Sequence, residues 1–150
     1  MRLLSLNTIG FSGEIDLCHL PAEINVLNLG NNQLCGTLNL EELPQSIQEL
    51  YFHENRFSGT VCLRNLPPIL QSLYLTKNEL CGTIHLTLLP QTMKYLWLSQ
   101  NNFEGATDFS QLPEGLNSVN FSHTNLSGKI VQRNAGTLLR VDNSNVELIE

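Results

Sequence analysis

The chain reads Leu73-Tyr74-Leu75-Thr76-Lys77-Asn78-Glu79-Leu80 near its centre, and the apolar positions of this stretch return every 23 residues. The leucine that opens it belongs to a column spaced without insertion: Leu4, Leu27, Leu50, Leu73, Leu96 and Val119. Columns two, seven and twenty residues further on are also apolar, and the column nine residues on is always glycine. No coil this short can bury its apolar residues alone, so the repetition predicts a solenoid of stacked coils.

The spacing inside one repeat predicts the path of the chain around each coil. The Leu-x-Leu alternation indicates a strand with both leucines on one side. Gly82, nine residues after the first leucine, fits a turn that needs a positive φ. The alternating segment 83–86 then predicts a strand that returns along the other side, and Leu89-Pro90 predicts an extended corner. Asn78 and its counterparts predict buried amides that bond the backbone of the bend and of neighbouring coils.

These features predict one domain over residues 1–150. It should hold six repeats that start near residues 4, 27, 50, 73, 96 and 119, followed by a degenerate C-terminal turn. The expected architecture is a right-handed superhelix of the β/α type, with a parallel concave sheet. Its convex side should consist of short strands, turns and 3₁₀-helix with little α-helix, because the return segment is short and ends at proline. Residues 139–141 predict a seventh strand in a shifted register.

The unit L-x-L-x-x-N-x-[LF]-x-G, with L-x-x-L-P behind it, resembles the leucine-rich repeat family over nearly the whole chain. The variant L-x-G-x-[IV] resembles the plant-type subclass. The 23-residue form with L-x-x-L-P is similar to surface-antigen-like repeats of kinetoplastids and other protists. The general role of the family is protein–protein recognition on the concave sheet. The resemblance therefore implies a non-catalytic module that binds another protein and needs no cofactor.

Three consecutive aromatic residues, Tyr51, Tyr74 and Trp97, occupy the exposed position between the two leucines of the strand. They should lie about 5 Å apart along the stack. Five further residues of the concave face flank them: Glu49, Tyr95, His53, Glu54 and Lys77. Tyrosine and tryptophan are enriched at binding hot spots, which favours these eight residues as the binding site. The alternative is an inert cross-strand stack that only stabilises the sheet.

The first coil suggests a second role for the chain. Its apolar columns begin almost at residue 1 with no capping coil before them: Leu4, Leu6, Phe11, Ile15 and Leu17. A solenoid normally closes its ends with polar coils, so this end predicts an open apolar edge. The chain could then be a structural subunit or fragment of a larger assembly held through this edge. An edge-to-edge homodimer is another possibility.

Several other functions are disfavoured by composition and register. A net charge of −6 argues against a nucleic-acid surface. Cys35 and Cys81 share a column but lie two coils, about 10 Å, apart, which is too far for a disulfide. The four histidines fall in four different columns, so neither a metal site nor a catalytic constellation is expected.

The location of the protein follows from the absence of a leader in this sequence. Patterned sequence begins at once, without an apolar leader segment or a membrane span. This predicts an intracellular, cytoplasmic protein, whereas a fragment of a longer secreted protein would be extracellular or at the cell surface. Two glycosylation sequons occur, Asn120-Phe121-Ser122 and Asn125-Leu126-Ser127. Without a secretory signal they are interpreted as ordinary repeat residues.

Overall fold

The computed structural model describes residues 2–133 and 135–149, which form fourteen short β-strands. One parallel sheet, which occupies the predicted concave side, contains the odd-numbered strands: β1 (Leu3–Ser5), β3 (Val26–Asn28), β5 (Glu49–Tyr51), β7 (Ser72–Tyr74), β9 (Tyr95–Trp97), β11 (Ser118–Asn120) and β13 (Leu138–Arg140). A second parallel sheet contains the even-numbered strands: β2 (Ser12–Glu14), β4 (Gln33–Gly36), β6 (Arg56–Gly59), β8 (Glu79–Gly82), β10 (Asn102–Ala106), β12 (Asn125–Val131) and β14 (Asn145–Ile149). The described residues contain no helix that could cross a membrane.

The concave sheet keeps the register that the repeat predicts. Leu4 lies opposite Leu27, and each later coil adds 23 residues as far as Val119. The seventh strand is present, and Leu139 lies opposite Val119. The sixth coil therefore contains 20 residues, which accounts for the shifted register of residues 139–141.

The second sheet corrects the predicted position of the return strand. Strand β8 ends at Gly82, whereas residues 83–86 lie outside any strand. The φ of Gly82 is 79°, so the chain bends away from the ladder at that residue. The alternation in the segment still reflects burial, because Ile84 and Leu86 are only 2% and 1% exposed.

The described residues contain no 3₁₀-helix, so the convex side differs in this detail from the prediction, while the predicted parallel-strand solenoid is confirmed. The carbonyl of Pro44 accepts a hydrogen bond from the amide of Ile47 at 3.1 Å and closes a single turn. The next amide, of Gln48, donates instead to Asn25 of the preceding coil at 2.8 Å. Because the chain pairs with its neighbour immediately after the proline corner, the turn is not continued into a helix.

The apolar columns form one continuous core between the two sheets. Asparagines at the bend after each concave strand connect neighbouring coils. The Asn55 amide donates to the carbonyl of Leu29 at 2.9 Å, and its oxygen accepts from the amide of Leu34 at 3.0 Å. Asn101 repeats this pattern two coils later. These side chains satisfy backbone groups that no strand pairs, as the sequence predicts.

The first coil is much more exposed than the central ones. Leu3, Ile9 and Phe11 are 59%, 55% and 44% exposed, whereas Phe57, in the same column as Phe11, is 0% exposed. Strands β1 and β2 each lie at the edge of their sheet. The first coil thus presents apolar side chains beside two sheet edges.

Candidate binding site on the concave sheet

Tyr51, Tyr74 and Trp97 form a continuous stack, here called the aromatic column. They lie opposite one another on strands β5, β7 and β9. Their ring centroids are 4.9 Å and 4.8 Å apart, with interplanar angles of 32° and 55°. These separations match the spacing of paired strands, so the sheet register brings the rings into contact. All three side chains are half-buried.

Two more rings extend the aromatic column sideways. Tyr95 lies with its ring centroid 6.4 Å from that of Tyr74. His53 meets Tyr51 edge to face at 6.5 Å. Aromatic pairs in such geometries contribute about 0.5–1.5 kcal/mol each beyond their burial. The aromatic column therefore has the stabilising character of a cross-strand stack.

The same stacking determines what the aromatic column offers to solvent. Because neighbouring rings partly cover one another's faces, the column presents mainly ring edges and polar tips. An open hollow of about 310 Å³ lies over it. The lining residues come from three adjacent coils: Tyr51, His53, Glu54, Tyr74, Thr76 and Trp97. A hollow of this kind can receive an apolar or aromatic side chain of a partner.

Two of the three polar groups of the aromatic column already form hydrogen bonds. The Tyr51 hydroxyl donates to Oε2 of Glu49 at 2.6 Å, and Nε1 of Trp97 donates to Oγ of Ser118 at 3.0 Å. Burial and the bond to Glu49 raise the pKa of Tyr51 well above its ordinary range. The Tyr74 hydroxyl has no hydrogen-bond partner among the described residues. Tyr74 is therefore the ring whose polar group remains open to a ligand.

Glu54 and Lys77 form a charged rim beside the hollow. Each lies at the bend that follows a concave strand, with a φ of 55° and 57°. Nζ of Lys77 lies 2.9 Å from Oε1 of Glu54, and this bond lowers the pKa of the Glu54 carboxyl. Exposed pairs of this kind contribute little to stability. Since little stability is lost when this pair separates, the Glu54 carboxylate and the Lys77 ammonium can pair instead with charged groups of a partner.

His53 is held against the backbone of the preceding coil. A Cβ at position 30 would lie 2.4 Å from Cε1 of the His53 ring, so the glycine at that position makes room for it. Nε2 of His53 lies 3.3 Å from Nδ2 of Asn31, while Nδ1 is buried without a hydrogen-bond partner among the described residues. Burial is the main cause that lowers the pKa of His53. The ring is therefore neutral at neutral pH.

We expect His53→Gln to reduce the loss of stability in mild acid. The unfolded chain binds a proton near the ordinary histidine pKa of 6.5, whereas the folded chain resists that proton because the His53 pKa is lowered. His53 therefore contributes stability above pH 6.5 that is lost as the pH falls through its folded pKa. Denaturation midpoints of the native chain and of His53→Gln, measured from above pH 6.5 into mild acid, test this prediction. Parallel pH profiles would contradict it.

The structure brings together most of the predicted site residues. Five of the eight line the hollow: Tyr51, His53, Glu54, Tyr74 and Trp97. Glu49 and Tyr95 touch the aromatic column from one side, and Lys77 is paired to Glu54. Thr76, in the same column as His53, was not among the predicted site residues. The repeat register, which places Thr76 next to the aromatic column, is the sequence signal that could have identified it.

Nowhere in the described part of the chain do three His, Cys, Asp or Glu residues form a group that could hold a metal ion.

Comparison with known proteins finds similarity in structure alone. No protein-family model and no curated protein sequence matches the chain. A solved structure of a pollen receptor kinase 3 has a TM-score of 0.69 at 21% identity, covering 83% of this chain and 64% of its own. A second structure is the leucine-rich-repeat ectodomain of the plant membrane receptor kinase GASSHO1/SCHENGEN3 from Arabidopsis thaliana, in complex with Casparian strip integrity factor 2. It has a TM-score of 0.70 at 23% identity, and the match covers 97% of this chain and 18% of the ectodomain. The structure of a TDR receptor has a TM-score of 0.63 at 25% identity, and the match covers 91% of this chain and 25% of the receptor chain.

The chain is therefore a leucine-rich-repeat solenoid, as its 23-residue unit predicts. It spans less than two thirds of the length of each of these three structures. The structures that it resembles are plant receptors, in agreement with the plant-type variant of the repeat. The similarity to protist repeats gains no support from them.

Proposed function

We propose that the chain is a non-catalytic protein-binding module whose partner places a side chain in the hollow over the aromatic column. The observation that carries this proposal is the hollow itself, lined by Tyr51, Tyr74 and Trp97 on three adjacent strands. Tyrosine and tryptophan provide large contact areas at low entropic cost. Because the rings are already stacked, their side chains lose little further conformational freedom on binding.

The arrangement favours a partner that combines an apolar group with polar neighbours. The ring edges of the aromatic column carry partial positive charge and attract carbonyl oxygens or the faces of other rings. The open Tyr74 hydroxyl adds one donor. Glu54 and Lys77 supply charges of both signs at the rim. A polypeptide segment with an apolar or aromatic side chain offers all of these complements.

The solved structures support this proposal only in general terms. The GASSHO1/SCHENGEN3 ectodomain was crystallised in complex with Casparian strip integrity factor 2, which supports a binding role for a solenoid of this fold. At identities of 21–25% the similarity establishes the fold, so the partner of this chain is inferred from its own surface. The structural similarity to a receptor ectodomain favours the extracellular or cell-surface location over the cytoplasmic one, which the comparisons do not support.

The test is the triple variant Tyr51→Ala/Tyr74→Ala/Trp97→Ala in affinity capture from the source organism. We expect the unchanged chain to retain a specific partner and the triple variant to lose it. The matched control is Arg56→Ala/Glu79→Ala/Asn102→Ala. It alters three exposed residues of the second sheet in the same three coils. Equal capture by the two variants would overturn the proposal.

A milder variant separates binding from folding. Removal of three stacked rings also weakens the sheet, so circular dichroism and thermal midpoints must accompany the capture. Tyr74→Phe keeps the ring and removes only the hydroxyl, which has no partner within the described residues. We expect it to leave stability unchanged and to weaken partner binding by about 1 kcal/mol, the net value of a hydrogen bond.

The exposed first coil supports a second candidate function, a subunit held in a larger assembly. Leu3, Ile9 and Phe11 are the residues that carry it. In that case Leu6→Asp would release the chain from its assembly, while the triple aromatic variant would not. Light scattering on the isolated chain would reveal an edge-to-edge homodimer.

A further inference from the structure

The two glycosylation sequons lie five residues apart in the chain but on different sheets. Asn120 ends strand β11 of the concave sheet, and Asn125 begins strand β12 of the second sheet. An oligosaccharide has to leave the protein surface without displacing its neighbours. The surroundings of the two asparagines therefore decide which one a folded chain can carry in glycosylated form.

Asn125 lies in an open position. Its side chain is exposed, and its amide has no hydrogen-bond partner among the described residues. Leu126 is 0% exposed and faces the core, so Asn125 and Ser127 lie on the opposite face of the strand. In the two preceding coils the same column holds Glu79 and Asn102, which are also exposed. The acceptor amide is therefore open to solvent.

Asn120 lies in a confined position. Its side-chain oxygen accepts from the Ser122 amide at 3.0 Å and from the Ser122 hydroxyl at 2.7 Å. Ser122 itself is only 8% exposed. Trp97 lies opposite Asn120 on one neighbouring strand and Arg140 on the other. An oligosaccharide here would have to displace or cover these large side chains.

We propose that Asn125, and not Asn120, is a site of N-linked glycosylation in the folded protein; the inference rests on the extracellular location proposed above. Nδ2 of Asn125 attacks C1 of the reducing-end sugar of a lipid-linked oligosaccharyl pyrophosphate. The N–C1 bond forms, the C1–O bond to the pyrophosphate breaks, and the amide releases one proton. The lipid pyrophosphate leaves, and no atom changes its oxidation state.

The position of this glycan is compatible with binding on the concave sheet. Transfer precedes folding, so the secreted molecules are those whose glycan the folded surface accepts. A glycan on Asn125 stands on the second sheet, away from the aromatic column. A glycan on Asn120 would stand beside Trp97 and obstruct the hollow.

The experiment directs the full chain through the secretory pathway of a eukaryotic cell behind a cleavable leader. Mass spectrometry of the secreted protein, before and after glycosidase treatment, counts the glycans and locates them. We expect one glycan on the unchanged chain and on Asn120→Gln. We expect complete loss of it from Asn125→Gln and from Ser127→Ala, while Ser127→Thr retains it. Asn102→Gln, in the same column one coil earlier, is the control that keeps the glycan.

Three results would overturn the proposal. They are a secreted chain without a glycan, a glycan on Asn120, and a glycan that survives Ser127→Ala. Because the leader supplies the secretory passage, these results are independent of partner binding. The same analysis of the protein from its own source tests the location: a glycan there supports the inference, and its absence overturns the inference for the native protein while leaving the binding hypothesis standing.

Discussion

Replacement of Asn78 by alanine should lower the free energy of unfolding by about 3 kcal/mol or more. This side chain serves three backbone groups at once. Its amide donates to the carbonyls of Phe52 and Leu75, both at 3.0 Å, and its oxygen accepts from the amide of Phe57 at 3.0 Å. Asn78 is 9% exposed, so water does not readily replace these bonds. Each buried group left unpaired costs about 1–3 kcal/mol.

This loss is a large part of the total free energy of unfolding, because a domain of this kind is typically stable by about 5–15 kcal/mol. Two of the three partners belong to the preceding coil, so the substitution weakens the contact between coils as well as the bend. Urea denaturation followed by circular dichroism measures the change. Asn102→Ala, an exposed residue of the next coil, is the control and should be nearly neutral.

A second variant tests the mechanism of this loss. In coil six the equivalent position is Thr124, whose hydroxyl donates to the carbonyl of Phe121 at 2.7 Å. Asn78→Thr can therefore restore one of the three bonds and should fall between the native chain and Asn78→Ala. If Asn78→Ala were no more destabilising than Asn102→Ala, the asparagines would not connect the coils energetically.

The sequence predicts this part of the structure because periodicity determines register. Once Leu50 and Leu73 are known to stack, every residue of their coils has a defined neighbour one repeat away. The aromatic column and the buried asparagines follow directly. The second sheet does not follow, because residues on both sides of Gly82 alternate in the same way. The turn predicted at Gly82 does not by itself determine whether the strand lies before or after the glycine.

The finer features of the site depend on side-chain packing. The column places Tyr51 beside Tyr74, but their mutual tilt of 32° depends on all the surrounding side chains. His53 lies over Gly30, its counterpart in the preceding coil, because that glycine has no side chain; the column alone does not show this contact. The shortened sixth coil likewise results from residues that no longer match the repeat.

Phe57→Ala should destabilise the protein by about 3–5 kcal/mol, the usual cost of removing a buried phenylalanine ring. Phe57 is 0% exposed, and its ring lies 6.0 Å from that of Phe52. The same substitution at Phe11, in the same column but 44% exposed, should cost about 1 kcal/mol, because less apolar surface returns to water. Denaturation midpoints, read from the fluorescence of the single tryptophan, compare the two.

The contrast between Phe57 and Phe11 tests the architecture, because the chemistry of the two substitutions is identical. In a solenoid each coil is stabilised by its two neighbours, so a central coil loses contacts on both sides. Phe57→Leu should cost less than about 1.5 kcal/mol, since leucine occupies this column in the adjacent coils at Leu34 and Leu80. Equal losses from Phe11→Ala and Phe57→Ala would mean that the first coil is covered in solution. That result would favour an assembly held through the N-terminal edge over a free binding module.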